Sequence, residues 1–305
     1  MNTQSCCDTE IITPNPRGGA ATAVVDGRIY LLGGGHNQWI HLGDTDCYDT
    51  ATGSWQSCAS MPTPRSNVTC AVVDKTIYVI AGLMNPDART TDTSIPSAQV
   101  EAFDTATGQW RRCADLPFAR VKPAVAAVDG YIYAAGGRHE DTNTTQIVRY
   151  DPATDTWEQV GELPLAVRHA AGCAAGGKMY ISGGWEAPAE PGQAPTIHDQ
   201  LIEFDPATGA CCVIAKMPTE RCTHAMVAVD DRLYIIGGVR GKKEFLPTTD
   251  VYSLNQACWE KGPELQTGRA IFMAGVVDKA IHLVGGWSRL YKVPVAVCEC
   301  LTAGR

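Results

Sequence analysis

A doubled glycine returns along the chain at 33–34, 136–137, 183–184, 237–238 and 285–286, with Ala81-Gly82 in a sixth place. Before each lies an apolar run with an aromatic or imidazole ring: RIYLLGG, TIYVIAG, YIYAAGG, KMYISGG, RLYIIGG and AIHLVGG. Sixteen residues ahead of the first small residue stands an arginine, Arg17, Arg65, Arg120, Arg221 or Arg269, and Arg168 stands at fifteen. Downstream come an aromatic and an acid-led turn: CYDTATGSW, AFDTATGQW, RYDPATDTW and EFDPATGAC, with VYSLNQACW a drifted copy. A period of about 50 residues marks a supersecondary unit that buries its apolar face only by stacking on its neighbours.

The segment after each arginine alternates small apolar residues, which predicts a short inner strand buried on both faces. Asp26-Gly27, Asp129-Gly130 and Gly176-Gly177 supply the positive φ that a tight hairpin needs before the Tyr-rich second strand. The Tyr-Asp segment is a third strand, with Asp49, Asp104, Asp151 and Asp205 opening turns through side-chain hydrogen bonds. A fourth begins at Trp55, Trp110, Trp157 and Trp259. Four antiparallel strands per unit and six units predict an all-β, six-bladed β-propeller filling residues 1–305 as one domain. Its blades span approximately 17–62, 65–117, 120–164, 168–218, 221–265 and 269–301 plus 6–14. The last blade lacks a fourth strand of its own, and the N-terminal segment around Cys7 to Ile12 is predicted to complete it and close the ring, removing the free sheet edges.

The double glycine, the Tyr-Asp turn, the tryptophan and the Pro-x-Arg spacing resemble the kelch repeat family over essentially the whole chain. Cys7 and Cys211 for tryptophan, and Ala81 for glycine, are the departures. The resemblance implies a kelch-type propeller, and fold alone does not name a function.

Net charge is −8 with no block of basic residues, which argues against a nucleic-acid groove and against an anionic membrane surface. MNTQSCCDTE has neither a basic start nor an apolar core, so no secretory signal is expected. The 13 cysteines are expected to be buried free thiols of a cytoplasmic protein, the pairs Cys6-Cys7, Cys211-Cys212 and Cys298-x-Cys300 included.

Strand direction puts the arginines and the glycine pairs on one rim and the short acid-led turns on the other. The variable loops follow the glycine pairs, the longest at about 83–98 and 185–199, the second Pro-rich enough for a stiff lid. Six of the seven histidines map to that rim. The candidate acid/base residues are His169, His224, Glu186, His139 and Glu140. Candidate binding residues are His36, Trp39, Asn67, Lys122, Arg138, Trp185, His198, Asp199, Arg240, Trp287, Arg289 and Tyr291. The repeat arginines are expected to pair with an acid or carbonyl between blades rather than to ring an anion.

Two functional classes follow. One is a cofactor-independent enzyme of isomerase, epimerase, lyase or cyclase type acting on a small polar or anionic substrate, nearest in kind to the six-bladed kelch sialic-acid epimerase. The other is a protein-interaction module binding an acidic peptide on the same rim, as the resemblance of VRYDPATDTWEQVGELPLAVR to kelch ubiquitin-ligase adaptors implies. No cofactor is expected. The alternative is a divalent metal held by His169, His224 and Glu186 or Asp199. The Tyr-His dipeptide of kelch-like copper oxidases is missing from the sequence.

Overall fold

The computed structural model describes residues 11–36, 40–86, 94–140, 142–188, 194–241, 244–288 and 293–302. Six four-stranded antiparallel sheets form the blades. Blade one has strands Ala21–Val25, Arg28–Leu32, Thr45–Asp49 and Ser54–Ser57, running from the central axis outward. Blades two to five repeat the order. In blade six, Met273–Val277, Ala280–Val284 and Val297–Thr302 are followed by Ile11–Ile12, which pairs Ile11 with Cys298 and Ile12 with Val297. The N-terminal segment therefore does complete the C-terminal blade. Residues 1–10, including Cys6 and Cys7, lie outside the described residues.

Local chemistry explains the turns. Asp26-Gly27, Asp129-Gly130 and Gly176-Gly177 all take positive φ at the inner hairpins. Asp49, Asp104, Asp151 and Asp205 each accept the backbone N–H two residues on, at 2.8–3.0 Å. The third-strand aromatic meets the fourth-strand tryptophan, with centroids 5.2 Å apart for Tyr48–Trp55 and 4.9 Å for Tyr252–Trp259. Between blades the second-strand tyrosine reaches the next blade's aromatic, as Tyr30 reaches Phe103 at 6.0 Å. Six apolar clusters result, one per seam, including Leu31 and Tyr48 of blade one against Val277 and Val284 of blade six. The inner strands of blades three and five are buried on both faces at all but one residue, whereas those of blades one, two and four depart from that expectation, with Thr22, Cys70 and Gly172 only half-buried along a central channel.

The glycine pairs and the arginines form one device. The second glycine donates its N–H to the carbonyl of the next blade's arginine: Gly34 to Arg65 at 2.8 Å, Gly82 to Arg120 at 3.1 Å, Gly184 to Arg221 at 2.9 Å. Gly238 to Arg269 at 2.9 Å and Gly286 to Arg17 at 3.3 Å continue it, and Gly137 to Val167 at 2.8 Å completes the circle. A Cβ on Gly183 would stand 2.2 Å from the Arg221 oxygen, so the missing side chain is what lets adjacent blades touch. The arginine side chains, all but fully buried, turn back into their own blade, which corrects the expectation that they pair between blades. Arg17 meets Asp46 at 2.7 Å, Arg65 meets Glu101 at 2.9 Å, Arg221 meets Asp250 at 2.5 Å, and Arg269 pairs with Glu299. Each also caps carbonyl oxygens of its blade where the structure resolves them, as Arg221 does with Gly237 at 2.8 Å. In blade three the acid's position holds Val148, and Arg120 bonds the Gly136 and Gln146 oxygens while stacking on Phe118 at 4.2 Å.

Of the cysteines in the described residues, ten are free thiols, and Cys300 is disulfide-bonded, against the expectation for that residue. Among the described residues no helix is long and apolar enough to cross a membrane.

Candidate functional site

Blade four breaks the pattern. Val167, not Arg168, accepts the Gly137 N–H and is buried where the arginines stand, so Val167 holds the arginine's place. Arg168 is moved one position on, into the column of Gly18, Ser66, Val121, Cys222 and Ala270, each bridged to the residue after a glycine pair. There it bridges Trp185, and its guanidinium lies over the Trp185 ring at 3.7 Å rather than inside the blade. The facing acid is also gone, replaced by Ile202 opposite Ile181. An apolar pair fills the core of blade four, and an arginine is released to the rim.

One residue further on, the six blades meet at the channel mouth through Gly19, Asn67, Lys122, His169, Thr223 and Ile271, all at φ between 50° and 67°. Backbone bonds link them. His169 N–H donates to Lys122 O at 3.2 Å, Thr223 to His169 at 2.9 Å, Ile271 to Thr223 at 2.9 Å and Gly19 to Ile271 at 3.2 Å. Below lies a cavity of about 150 Å³ lined by Lys122, His169, Thr223, His224 and Ile271 among others.

Lys122 donates to the Val68 carbonyl at 3.3 Å, and burial pushes its ammonium down to about 8. The His169 ring stacks on Trp185 with centroids 6.1 Å apart, and its Nδ1 is buried without a partner. Burial, then Lys122, Arg168 and Arg138, pushes its imidazolium down to about 3. Arg168 is itself lowered to about 10 by burial and by Arg138. Among the described residues, none of Lys122, Arg138 and Arg168 makes an ion pair. Lys122 lines the mouth with the neutral His169 imidazole, and Arg138 and Arg168 stand on the rim of the same two blades, so this sector carries positive charge without a paired acid among the described residues.

The other sequence candidates distribute differently. His224 lines the cavity but is buried, with Nε2 2.8 Å from Ser182 Oγ, and burial then Arg221 hold it well below the usual imidazole range. That makes it a wall residue, uncharged at neutral pH. Glu186 does not join His169: it faces His198 at 3.7 Å, while Asp199 faces Lys216 at 3.6 Å. His139 Nδ1 donates to Ala119 O at 3.2 Å, with its ring 4.4 Å from Phe118, and Glu140 follows it at φ 50°. His36 donates to Pro16 O at 3.1 Å, Arg240 is paired with Glu244 at 2.6 Å, and Trp287 packs over Gly18. Asn67 lies against Gly19 at the mouth. Trp39, Arg289 and Tyr291 lie outside the described residues, as do parts of both long loops. The metal ligands weighed from the sequence do not converge, and among the described residues no three His, Cys, Asp or Glu side chains are grouped to hold an ion.

Sequence reasoning missed Arg168 as a site residue and Asn143, whose Nδ2 donates to Trp185 O at 2.8 Å. The signal for Arg168 was the count of residues. Ten after Trp157 and sixteen before Gly183 both land on Val167.

Residues 96–286 match the family model of the KLHDC2/KLHL20/DRC7 Kelch-repeats domain, and residues 16–62 and 64–117 match the Kelch motif. Kelch-like protein 15 of Mus musculus is 26% identical over 204 residues, covering 62% of this chain and 34% of that protein. The Danio rerio protein of the same name is 27% identical over the same share. The match thus spans about a third of the length of these relatives. The solved structure of YjhT superposes with a TM-score of 0.82 at 18% identity, covering 96% of each chain.

Proposed function

We propose, from the premise that this chain belongs to the kelch-repeat β-propeller family, that it binds a small organic anion at the channel mouth between blades three and four. The observation that carries the reading is that Lys122 lines the cavity with His169, Arg168 lies over the Trp185 ring on which His169 stacks, Arg138 stands on the same rim, and among the described residues no acid is paired to any of the three. Four sister blades neutralise their arginines with Asp46, Glu101, Asp250 or Glu299, so unpaired cations are a local departure from the chain's own rule. A bound carboxylate or phosphate supplies the missing charge through charge-assisted hydrogen bonds. His169, held neutral, offers an N–H or a lone pair to a ligand hydroxyl. Trp185 forms one wall.

Acid/base chemistry at the mouth falls to Lys122, because it alone there titrates near neutrality while His169 and His224 stay uncharged. Binding is expected to hold from about pH 5 to 7 and to weaken as Lys122 loses its proton above its value of about 8.

A thermal-shift and calorimetric screen of organic acids, phosphorylated compounds and neutral sugars tests the reading. Anions are expected to bind, and Lys122→Gln or Arg168→Gln to lower affinity at least tenfold. Arg240→Gln, which removes a cation already paired to Glu244, should leave it intact. Binding confined to uncharged compounds, or indifferent to Lys122 and Arg168, sinks the proposal. An acidic peptide on the same cations is the second reading. It is favoured by Ile40 and Ile95, which stand exposed on the rim of blades one and two at 43% and 42%. Capture of a protein partner that is lost on Lys122→Gln and also on Ile95→Ser would mark that reading.

A further inference from the structure

Six apolar clusters of the molecule belong to blade seams, and a seventh does not. Cys222, Val239 and Ala270 are buried there, with Trp185, Ile197, Phe245 and Ile271 only partly covered around them. These residues occupy the bridge positions and loop hairpins of blades four to six, on the same rim as the cationic sector. The cluster joins that sector twice. Trp185 carries Arg168 over its face and His169 stacked beside it. Ile271 lines the cavity with Lys122 and His169. In blade order around the mouth, Ile271 stands three blades from Lys122, directly across the ring. It does so at φ 53°, a conformation that β-branched residues adopt only when their surroundings enforce it.

We infer that the anion bound at this mouth is amphipathic: a carboxylate held by Lys122, Arg138 and Arg168, carrying an apolar body that lies across the mouth on Trp185, Ile271 and Phe245. The inference rests on the proposed anion site and adds the ligand's chemical class. A strongly hydrated anion such as inorganic phosphate or a sugar acid satisfies the cations but leaves the apolar half of the floor facing water. A carboxylate with an aryl or alkyl chain covers both, and removal of apolar surface from water adds to affinity in proportion to area. Specificity in such a site comes from the few placed charges and capacity from the apolar wall.

Titration calorimetry of the full chain with acetate, 4-phenylbutyrate and 4-phenylbutan-1-ol separates the claims. 4-Phenylbutyrate is expected to bind at least tenfold tighter than acetate, and the alcohol more weakly than the acid. Ile271→Asn is chosen because asparagine accepts a positive φ, so the variant keeps its backbone while losing the apolar surface. It should cost 4-phenylbutyrate tenfold or more and leave acetate unchanged. Phe245→Ser, on the exposed hairpin, provides an independent check of the same kind. Equal affinity for the two acids, or a preference that survives both substitutions, overturns the amphipathic ligand while leaving the anion site standing. Failure of both acids to bind at all overturns the anion site, and this inference falls with it.

Discussion

Blade four shows that a blade of this chain works with an apolar pair, Val167 and Ile202, where blade five uses Arg221 and Asp250. Copying blade four into blade five is therefore a test of how the buried ion pair acts. Both side chains are fully buried and meet at 2.5 Å, and Lys261 also reaches Asp250 at 2.9 Å. Asp250→Ile alone leaves the Arg221 guanidinium with Gly237 O, Thr248 O and Thr248 Oγ1 but no carboxylate. Arg120 tolerates that state by stacking on Phe118. Blade five has Thr219 at the matching place and offers no ring. Removing one partner of a buried pair typically costs about 3–5 kcal/mol, whereas replacing both by apolar groups is often close to neutral. The single variant should lose roughly 6–10 °C in Tm at about 2 °C per kcal/mol, the low end for larger chains. Arg221→Val with Asp250→Ile should return to within roughly 2 kcal/mol of the parent. Denaturant unfolding of the two singles and the double gives the coupling energy directly. The reasoning is refuted if Asp250→Ile costs under about 1 kcal/mol, or if the double variant is less stable than either single.

Four further outcomes are expected. Gly183→Ala pushes a Cβ into the Arg221 oxygen at 2.2 Å and imposes φ 56° on a chiral residue, so it should cost about 3 kcal/mol in denaturant unfolding. Ala81→Gly, at the one position of this column where the chain itself carries a side chain at φ 62°, should change stability by under about 1 kcal/mol, and equal effects would undo the seam argument. His169 and His224 are buried neutral, so the unfolded chain takes up protons at about 6.5 while the native one resists. The stability these two imidazoles contribute should be level above pH 6.5 and be lost as pH drops toward 3, and His169→Gln should flatten part of that slope in pH-dependent unfolding; an unaltered slope refutes it. Cys300→Ser removes a disulfide and should cost about 2–4 kcal/mol, an effect that reductant reproduces in the parent and does not add to in the variant.

The ring was legible because each of its parts is a local rule that recurs from blade to blade. Asp26-Gly27 turns back, Asp49 opens a turn, and Trp55 closes a sheet, each from its own neighbours. The acids of the buried pairs were equally visible, as the second residue of TDCYD, VEAFD and TDVYS, but their partner is set by how the arginine folds back, which no spacing records. The site was legible in part. Lys122, Arg138, His169 and Trp185 do gather, because the position after a glycine pair and the position after an arginine share a rim. His224 stands three residues after Arg221, one place beyond Thr223 at the mouth, and ends in the wall, where Ser182 of the preceding blade meets it. The difference between the two histidines is one of register and not of residue type.

The channel mouth is held together by main-chain bonds from Gly19, His169, Thr223 and Ile271, with the Lys122 carbonyl among the acceptors. None of those bonds uses a side chain. The six mouth positions already carry glycine, amide, ammonium, imidazole, hydroxyl and alkyl groups on one backbone conformation. Recognition is thus written in a layer separate from the scaffold, and a new ligand preference needs new letters at those six places, not a new ring.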